Sequence, residues 1–223
     1  MTGRTPLQKH LELEAMFGAD FLPAPRTDVA RKPDEEVPAE FAAFRSKVLE
    51  CRKCGLCETR KQVVFGVGSL KSPLVFVGEA PGAYEDAKGE PFVGRAGQLL
   101  TKTLASIGVR RDQVYIANIL KCRPPDNRTP QPAEMEACMP WLHEQLKWIN
   151  PRLICALGNV AVQGLLGTKI GITKLRGRPH DFAGRKLYPV YHPAYVLRNM
   201  GEIRTFEGDL RHVCTEAGLI AAK

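Results

Sequence analysis

No apolar run in the 223 residues approaches the roughly 18 that a membrane helix needs, so a transmembrane protein is excluded. The start, Met1-Thr2-Gly3-Arg4, lacks the basic opening, apolar stretch and small-residue cleavage site of a secretory signal. A reducing, cytoplasmic compartment and no membrane partner are therefore expected. Internal repeats are absent. So is a dinucleotide fingerprint, because Gly78, Gly82 and Gly94 do not have G-x-G-x-x-G spacing, and no Gly-Lys-Ser/Thr completes a phosphate loop. What remains is ordinary for a soluble domain: 44% hydrophobic and 25% charged residues, with a core-sized chain.

Charge is uneven. Residues 1–50 carry 7 basic and 9 acidic side chains, net −2, leaving 25 basic and 15 acidic, net +10, for the rest. Lys169, Lys174, Arg176, Arg178, Arg185 and Lys186 form a basic stretch with Asp181 its only acid. Such a stretch either attracts a polyanion by counterion release or is simply a solvated face.

The chain divides into residues 1–38, read as an N-terminal extension and linker, and residues 39–223, read as one domain. A short helix is predicted over 6–17, then a linker over 20–38 with Pro23, Pro25, Pro33 and Pro38. Another helix is predicted over 39–50. Apolar runs at 74–77, 114–120, 153–157 and 186–191 read as strands, alternating with helices over 97–107, 132–149 and 160–166. This alternation implies an α/β fold, a three-layer α/β/α arrangement with a central, mainly parallel four-stranded sheet. In such sheets ligands bind beyond the carboxyl ends of the strands. There the sequence places Glu79 after the first strand, Asn118 at the end of the second, and His192 after the fourth. Singly, each has a bland structural reading. Together they make one crevice a candidate site.

The seven cysteines are Cys51, Cys54, Cys57, Cys122, Cys138, Cys155 and Cys214. In a reducing compartment metal binding is favoured over disulfides. Cys51-x-x-Cys54, with Cys122 and Cys138 separated by 15 residues, could hold a [4Fe–4S] cluster or a tetrahedral zinc, and spacing does not choose. Cys57 leaves the first set ambiguous. Cys155, inside an apolar strand, reads as packing, and the sequence is silent on Cys214.

The ordered strings Cys51-x-x-Cys54 with Arg60 and Val63-Val64-Phe65-Gly66, Val77-Gly78-Glu79-Ala80-Pro81-Gly82 with Glu85-Asp86, and Gly89-x-Pro91-Phe92-Val93-Gly94-x-Ala96-Gly97-Gln98 resemble one family. So do Asn118-Ile119-x-Lys121-Cys122-Arg123-Pro124-Pro125-x-Asn127-Arg128 and His192-Pro193-Ala194-Tyr195-x-Leu197-Arg198-Asn199. That family is the iron–sulfur, family-four uracil-DNA glycosylases, and the likeness runs from about Phe41 to Asn199.

The resemblance implies a monomeric base-excision enzyme that flips uracil out of DNA and hydrolyses its N-glycosidic bond. It implies that Phe92 stacks on the base, Asn118 reads its O4 and N3–H edge, and His192 donates to the developing charge on O2. Backbone near Ala80 and Gly82 joins the base pocket. Glu79 is the expected water-activating carboxylate, because the better-known relatives carry Asp where Ala80 stands. Glu85 is the alternative base, or crowds the uracil C5 position. Asn127 assists water placement, Arg198 holds a phosphate, and Tyr195, Val196 or Leu197 wedges into the vacated stack. By the same resemblance a [4Fe–4S] cluster is held by Cys51, Cys54, Cys122 and Cys138, with Cys57 spare.

Two other readings stand beside this one. One is a non-catalytic or covalently trapping uracil-DNA binder on the same fold. The other is a zinc-stabilised small-molecule enzyme without a DNA partner. A trapping relative needs a nucleophilic His in the loop after the second strand, and that loop reads Arg123-Pro124-Pro125-Asp126-Asn127-Arg128.

Overall fold

The four apolar runs become the centre of one sheet. The structure, a computed structural model, describes residues 37–221; the helix expected over 6–17 and nearly all of the expected linker lie outside the described residues. The strands are β1 (Val67–Gly68), β2 (Leu74–Gly78), β3 (Tyr115–Asn118), β4 (Leu153–Leu157), β5 (His180–Phe182) and β6 (Arg185–Val190). Their order across the sheet is β1-β3-β2-β4-β6-β5. The inner strands β3, β2, β4 and β6 are mutually parallel, as expected. The edges β1 and β5 pair antiparallel to their neighbours, so the sheet has six strands rather than four. Neither edge could be read beforehand: β1 has two residues, and β5 lacks a buried position.

Every residue of β2 and β4 is buried. Continuous apolar strands of this kind belong to parallel sheets covered on both faces. Eight α-helices among the described residues supply the cover: α1 (Ala39–Leu49), α2 (Ala83–Lys88), α3 (Arg95–Ser106), α4 (Pro132–Ile149), α5 (Asn159–Leu166), α6 (Ile172–Leu175), α7 (Pro193–Arg198) and α8 (Ile203–Glu216). Val75, Val77, Tyr115, Ala117, Ile154 and Ala156 share one cluster with residues of α1, α4, α5 and α6. The alternate positions Leu74, Phe76, Ile116 and Cys155 are equally buried but outside that cluster, toward the side where α8 packs on β4 and β6 and meets α3.

A cluster of edge-on and tilted aromatics joins α1 to α4. Phe41 packs on Phe44, Phe65 and Trp148, and Phe44 on Phe65 and Trp141, with centroids 5.7–6.0 Å apart. Pairs at these separations add about 0.5–1.5 kcal/mol each beyond their buried area. They hold the segment carrying Cys51 and Cys54 against the helix carrying Cys138.

Candidate active site

Parallel register sets the crevice. Gly78 of β2 lies opposite Asn118 of β3, and the ladder runs on past the strands as Ile119 and Leu120 donate to the carbonyls of Gly78 and Glu79, both at 3.0 Å. A side chain on Gly78 would collide with Asn118 Oδ1 and come within 2.6 Å of Phe92 Cζ. Gly78 is therefore what lets the amide and the ring approach each other. Gly158, closing β4 at φ +91°, plays the same part for His192, whose Cβ would lie 2.8 Å from an added methyl. The Phe92 and His192 rings are 5.7 Å apart, tilted 35°. The structure thus brings Phe92, Asn118 and His192 together, and Glu79 follows Gly78 directly.

Phe92 adopts φ 52°, a left-handed conformation that a bulky residue occupies only when its surroundings impose it. The surroundings here are explicit. Gly97 of α3 leaves the space that the Phe92 carbonyl fills, and Arg111 donates to the Pro91 carbonyl. Glu85 completes the clamp: Oε1 accepts from Val93 N (3.0 Å) and Gly94 N (2.8 Å), and Oε2 from Gly82 N at 3.2 Å. Both Glu85 oxygens are spent on backbone across the loop that presents Phe92. Neighbouring Asp86, 2% exposed, accepts from Lys61 N at 2.9 Å and ties α2 to the segment after the first cysteines.

Asn118 is 2% exposed, and its Oδ1 is the one buried side-chain N or O atom without a hydrogen-bond partner among the described residues. An orphan acceptor costs about 1–3 kcal/mol, which a ligand N–H would recover. His192 keeps a partly exposed edge, yet protein surrounds most of its ring. Burial first, and the Arg198 charge second, push it down to about 4, so the imidazole is neutral at physiological pH. Its Nδ1 accepts from Ala194 N at 3.1 Å, which leaves the single ring proton on Nε2 as a donor. Burial raises the half-buried Glu79 carboxyl above the ordinary range, toward a better proton acceptor.

Asn127 stands exposed with φ 53°, its Oδ1 accepting from Arg123 Nε at 2.8 Å. Arg128 grips Glu134 with both terminal nitrogens, at 2.9 and 2.6 Å, anchoring this loop to α4. Beyond His192, Val196 is fully buried and cannot serve as a wedge, whereas Tyr195 is 38% exposed. Tyr195 packs on Tyr191, their centroids 5.0 Å apart.

A family model for the "Uracil DNA glycosylase superfamily" matches residues 65–212. The chain belongs to the uracil DNA glycosylase superfamily. It is 51% identical over 155 residues to a "Type-4 uracil-DNA glycosylase" of Thermotoga maritima, covering 69% of this chain and 81% of that protein. A protein of the same description from Archaeoglobus fulgidus is 45% identical over 175 residues, 75% of this chain and 88% of that one. A "Type-5 uracil-DNA glycosylase" of Pyrobaculum aerophilum is 34% identical over 173 residues, 69% and 76% respectively.

In this glycosylase-superfamily chain a second constellation lies beside the first. Cys51, Cys54, Cys122 and Cys138 line one cavity with Lys53, Arg60, Lys121 and Trp141; Cys57 is not among the lining residues. Three sulfurs accept N–H donors: Cys51 from Trp141 Nε1 (3.2 Å), Cys122 from Arg60 Nη1 (3.1 Å) and Cys138 from Lys121 N (3.3 Å). Such donors suit thiolate charge. Four cysteines lining one cavity are the donor set that either a metal ion or an iron–sulfur cluster requires. Burial pushes the Cys122 thiol up to about 11, with Arg60 opposing, so a metal must displace the thiol proton to bind. Cys155 and Cys214 are fully buried away from this cavity.

Two buried residues escaped the sequence reading. Lys121 (1% exposed) and Gln145 (0%) hydrogen-bond to each other, and Lys121 sat inside a matched string without an assigned role. A lysine bounded by Leu120 and Cys122 was the available signal.

Proposed function

We propose that this chain excises uracil from DNA, hydrolysing the N-glycosidic bond and leaving an abasic site, and that it acts as a monomer in the cytoplasm. The observation that carries the reading is the orphan acceptor of Asn118, buried beside an aromatic face and a neutral imidazole donor. Uracil presents what these three groups lack: a flat ring, an N3–H for Oδ1, and carbonyls for the amide nitrogen and for His192 Nε2.

The glycosidic bond is inaccessible in a stacked duplex, so the nucleotide must be everted. Phe92 stacks on the base. Asn118 accepts from N3–H and donates to O4. Cytosine reverses both partners and leaves buried groups mispaired. As the bond breaks, negative charge collects on O2, where His192 Nε2–H and backbone N–H near Ala80 stabilise it. A neutral imidazole suits this task, since it donates without first having to be protonated. Glu79 orients the attacking water, takes its proton and faces the oxocarbenium-like sugar. Glu85, with both oxygens engaged by backbone, sets the Gly82–Gly94 loop rather than activating water. Asn127 shapes the basic loop, Arg198 contacts a phosphate, and Tyr195 fills the vacated stack.

Cys51, Cys54, Cys122 and Cys138 would hold a [4Fe–4S] cluster, which supplies a structural clamp joining the segment before β1 to the loop after β3. The thiols, Arg60 and Trp141 give the cluster its ligands and N–H donors. Covalent trapping lacks its nucleophile, because the loop between Asn118 and α4 contains no histidine. The test is an excision assay on single- and double-stranded oligonucleotides carrying U, T, C or hypoxanthine. Free uracil and alkali-labile sites from the U substrates are expected. An SDS-stable adduct without free uracil would overturn turnover.

A further inference from the structure

The end of β3 is held by a buried polar relay that the excision chemistry does not use. Lys121 Nζ donates to the Asn118 carbonyl at 2.8 Å and to Gln145 Oε1. Gln145 Nε2 in turn reaches the Phe65 carbonyl at 2.8 Å and the Tyr115 hydroxyl at 3.2 Å. The Lys121 carbonyl accepts from Val64 N at 2.8 Å. Lys121, Gln145 and Tyr115 are all at most 2% exposed, so every bond in the relay is shielded from water.

Burying an ammonium is expensive, and an apolar side chain would fill the same space at lower cost. A buried cation bonded to one peptide carbonyl therefore serves position. The carbonyl belongs to Asn118, whose side chain carries the orphan oxygen. Gln145 stands seven residues, two helical turns, after Cys138 on α4, so both lie on one face of that helix. Cys138 Sγ accepts from Lys121 N, so the same lysine also touches the cysteine cage.

We infer that Lys121 and Gln145 form a positioning pair that fixes the Asn118 peptide and so aims Oδ1 at the base; this rests on the reading of Asn118 as the uracil-recognising residue. The pair touches no substrate atom. It acts through Asn118, and its effect must vanish when the Asn118 amide is removed.

The experiment is a double-mutant cycle in the full chain, combining Lys121→Met and Gln145→Leu, each alone, with Asn118→Ala. Readouts are inhibition by free uracil, the uracil-to-cytosine ratio of kcat/KM, absorbance near 400 nm and thermal melting. Lys121→Met should weaken free-uracil inhibition and lower the ratio about ten- to a hundredfold, as loss of a charged hydrogen bond does. Gln145→Leu should do the same less severely. In the Asn118→Ala background each should change either quantity less than threefold. Equal losses in both backgrounds, or no loss with Asn118 intact, would overturn the inference and leave a merely structural role. If Lys121→Met does not fold, Lys121→Arg decides by the same cycle, since it keeps the charge but changes the donor geometry. Wild-type protein that releases no uracil would refute the proposed function itself, whereas active wild type with additive losses refutes only the positioning pair.

Discussion

Replacing Asn118 by Asp changes one atom at the point where the proposed function has the base read. The amide has one fixed donor end and one fixed acceptor end, and the acceptor has no partner in the protein. At 2% exposure a carboxyl in its place would be raised by burial and keep its proton, which can sit on either oxygen. The variant can thus complement uracil or cytosine. On the proposed reading cytosine mispairs two buried groups at about 1–3 kcal/mol each, so discrimination of about 2–6 kcal/mol, or roughly 30- to 25,000-fold, rests there. Asn118→Asp should lower the uracil-to-cytosine ratio about 30-fold or more, mainly by admitting cytosine. Single-turnover excision on matched U and C oligonucleotides, followed by alkaline cleavage, measures it. A folded variant whose ratio stays within about threefold of wild type would refute the pairing argument.

Further outcomes follow from the same geometry. His192 titrates near 6.5 unfolded and about 4 folded, so the folded state binds fewer protons between those values. Stability from the neutral ring is complete above about pH 6.5 and falls by up to about 3 kcal/mol as pH drops toward 4. Urea unfolding at pH 7.5 and 4.5 should show that loss in wild type and a smaller one in His192→Gln; equal losses contradict the depressed imidazole. Glu79→Gln should lower kcat about 10²- to 10⁴-fold with DNA affinity within twofold, read by gel shift on uracil DNA. If Glu85→Gln does this instead and Glu79→Gln does not, the water-activating role belongs to Glu85. Serine at Cys51, Cys54, Cys122 or Cys138 should remove iron and absorbance near 400 nm, while Cys57→Ser should keep both.

The parallel centre of the fold was legible because buried strands read as unbroken apolar runs, Leu74-Val75-Phe76-Val77 foremost. The edges were not, since β5 is His180-Asp181-Phe182 and pairs only through its hairpin to β6. Helix α8 spaces the buried Phe206, Leu210, Val213 and Cys214 at helical intervals, a signal present in the sequence. The basic stretch over 169–186 is partly neutralised from afar: Arg176 binds Asp209 at 2.9 Å and Lys186 binds Glu216 at 2.8 Å, both acids lying on α8. Linear charge counting cannot see partners 30 or more residues away. Asn118 and His192 were placed correctly at strand ends because parallel topology dictates where those ends lie. Glu85 could not be resolved by reading, because its partners Val93 and Gly94 reach it only after the loop folds back.

A complex with DNA carrying a hydrolysis-resistant deoxyuridine tests the central claim directly. The account predicts an everted uracil stacked on Phe92, N3–H on Asn118 Oδ1, O2 on His192 Nε2, and a water between Glu79 and the anomeric carbon. A uracil bound elsewhere, or left stacked in the helix with these four side chains untouched, would contradict it.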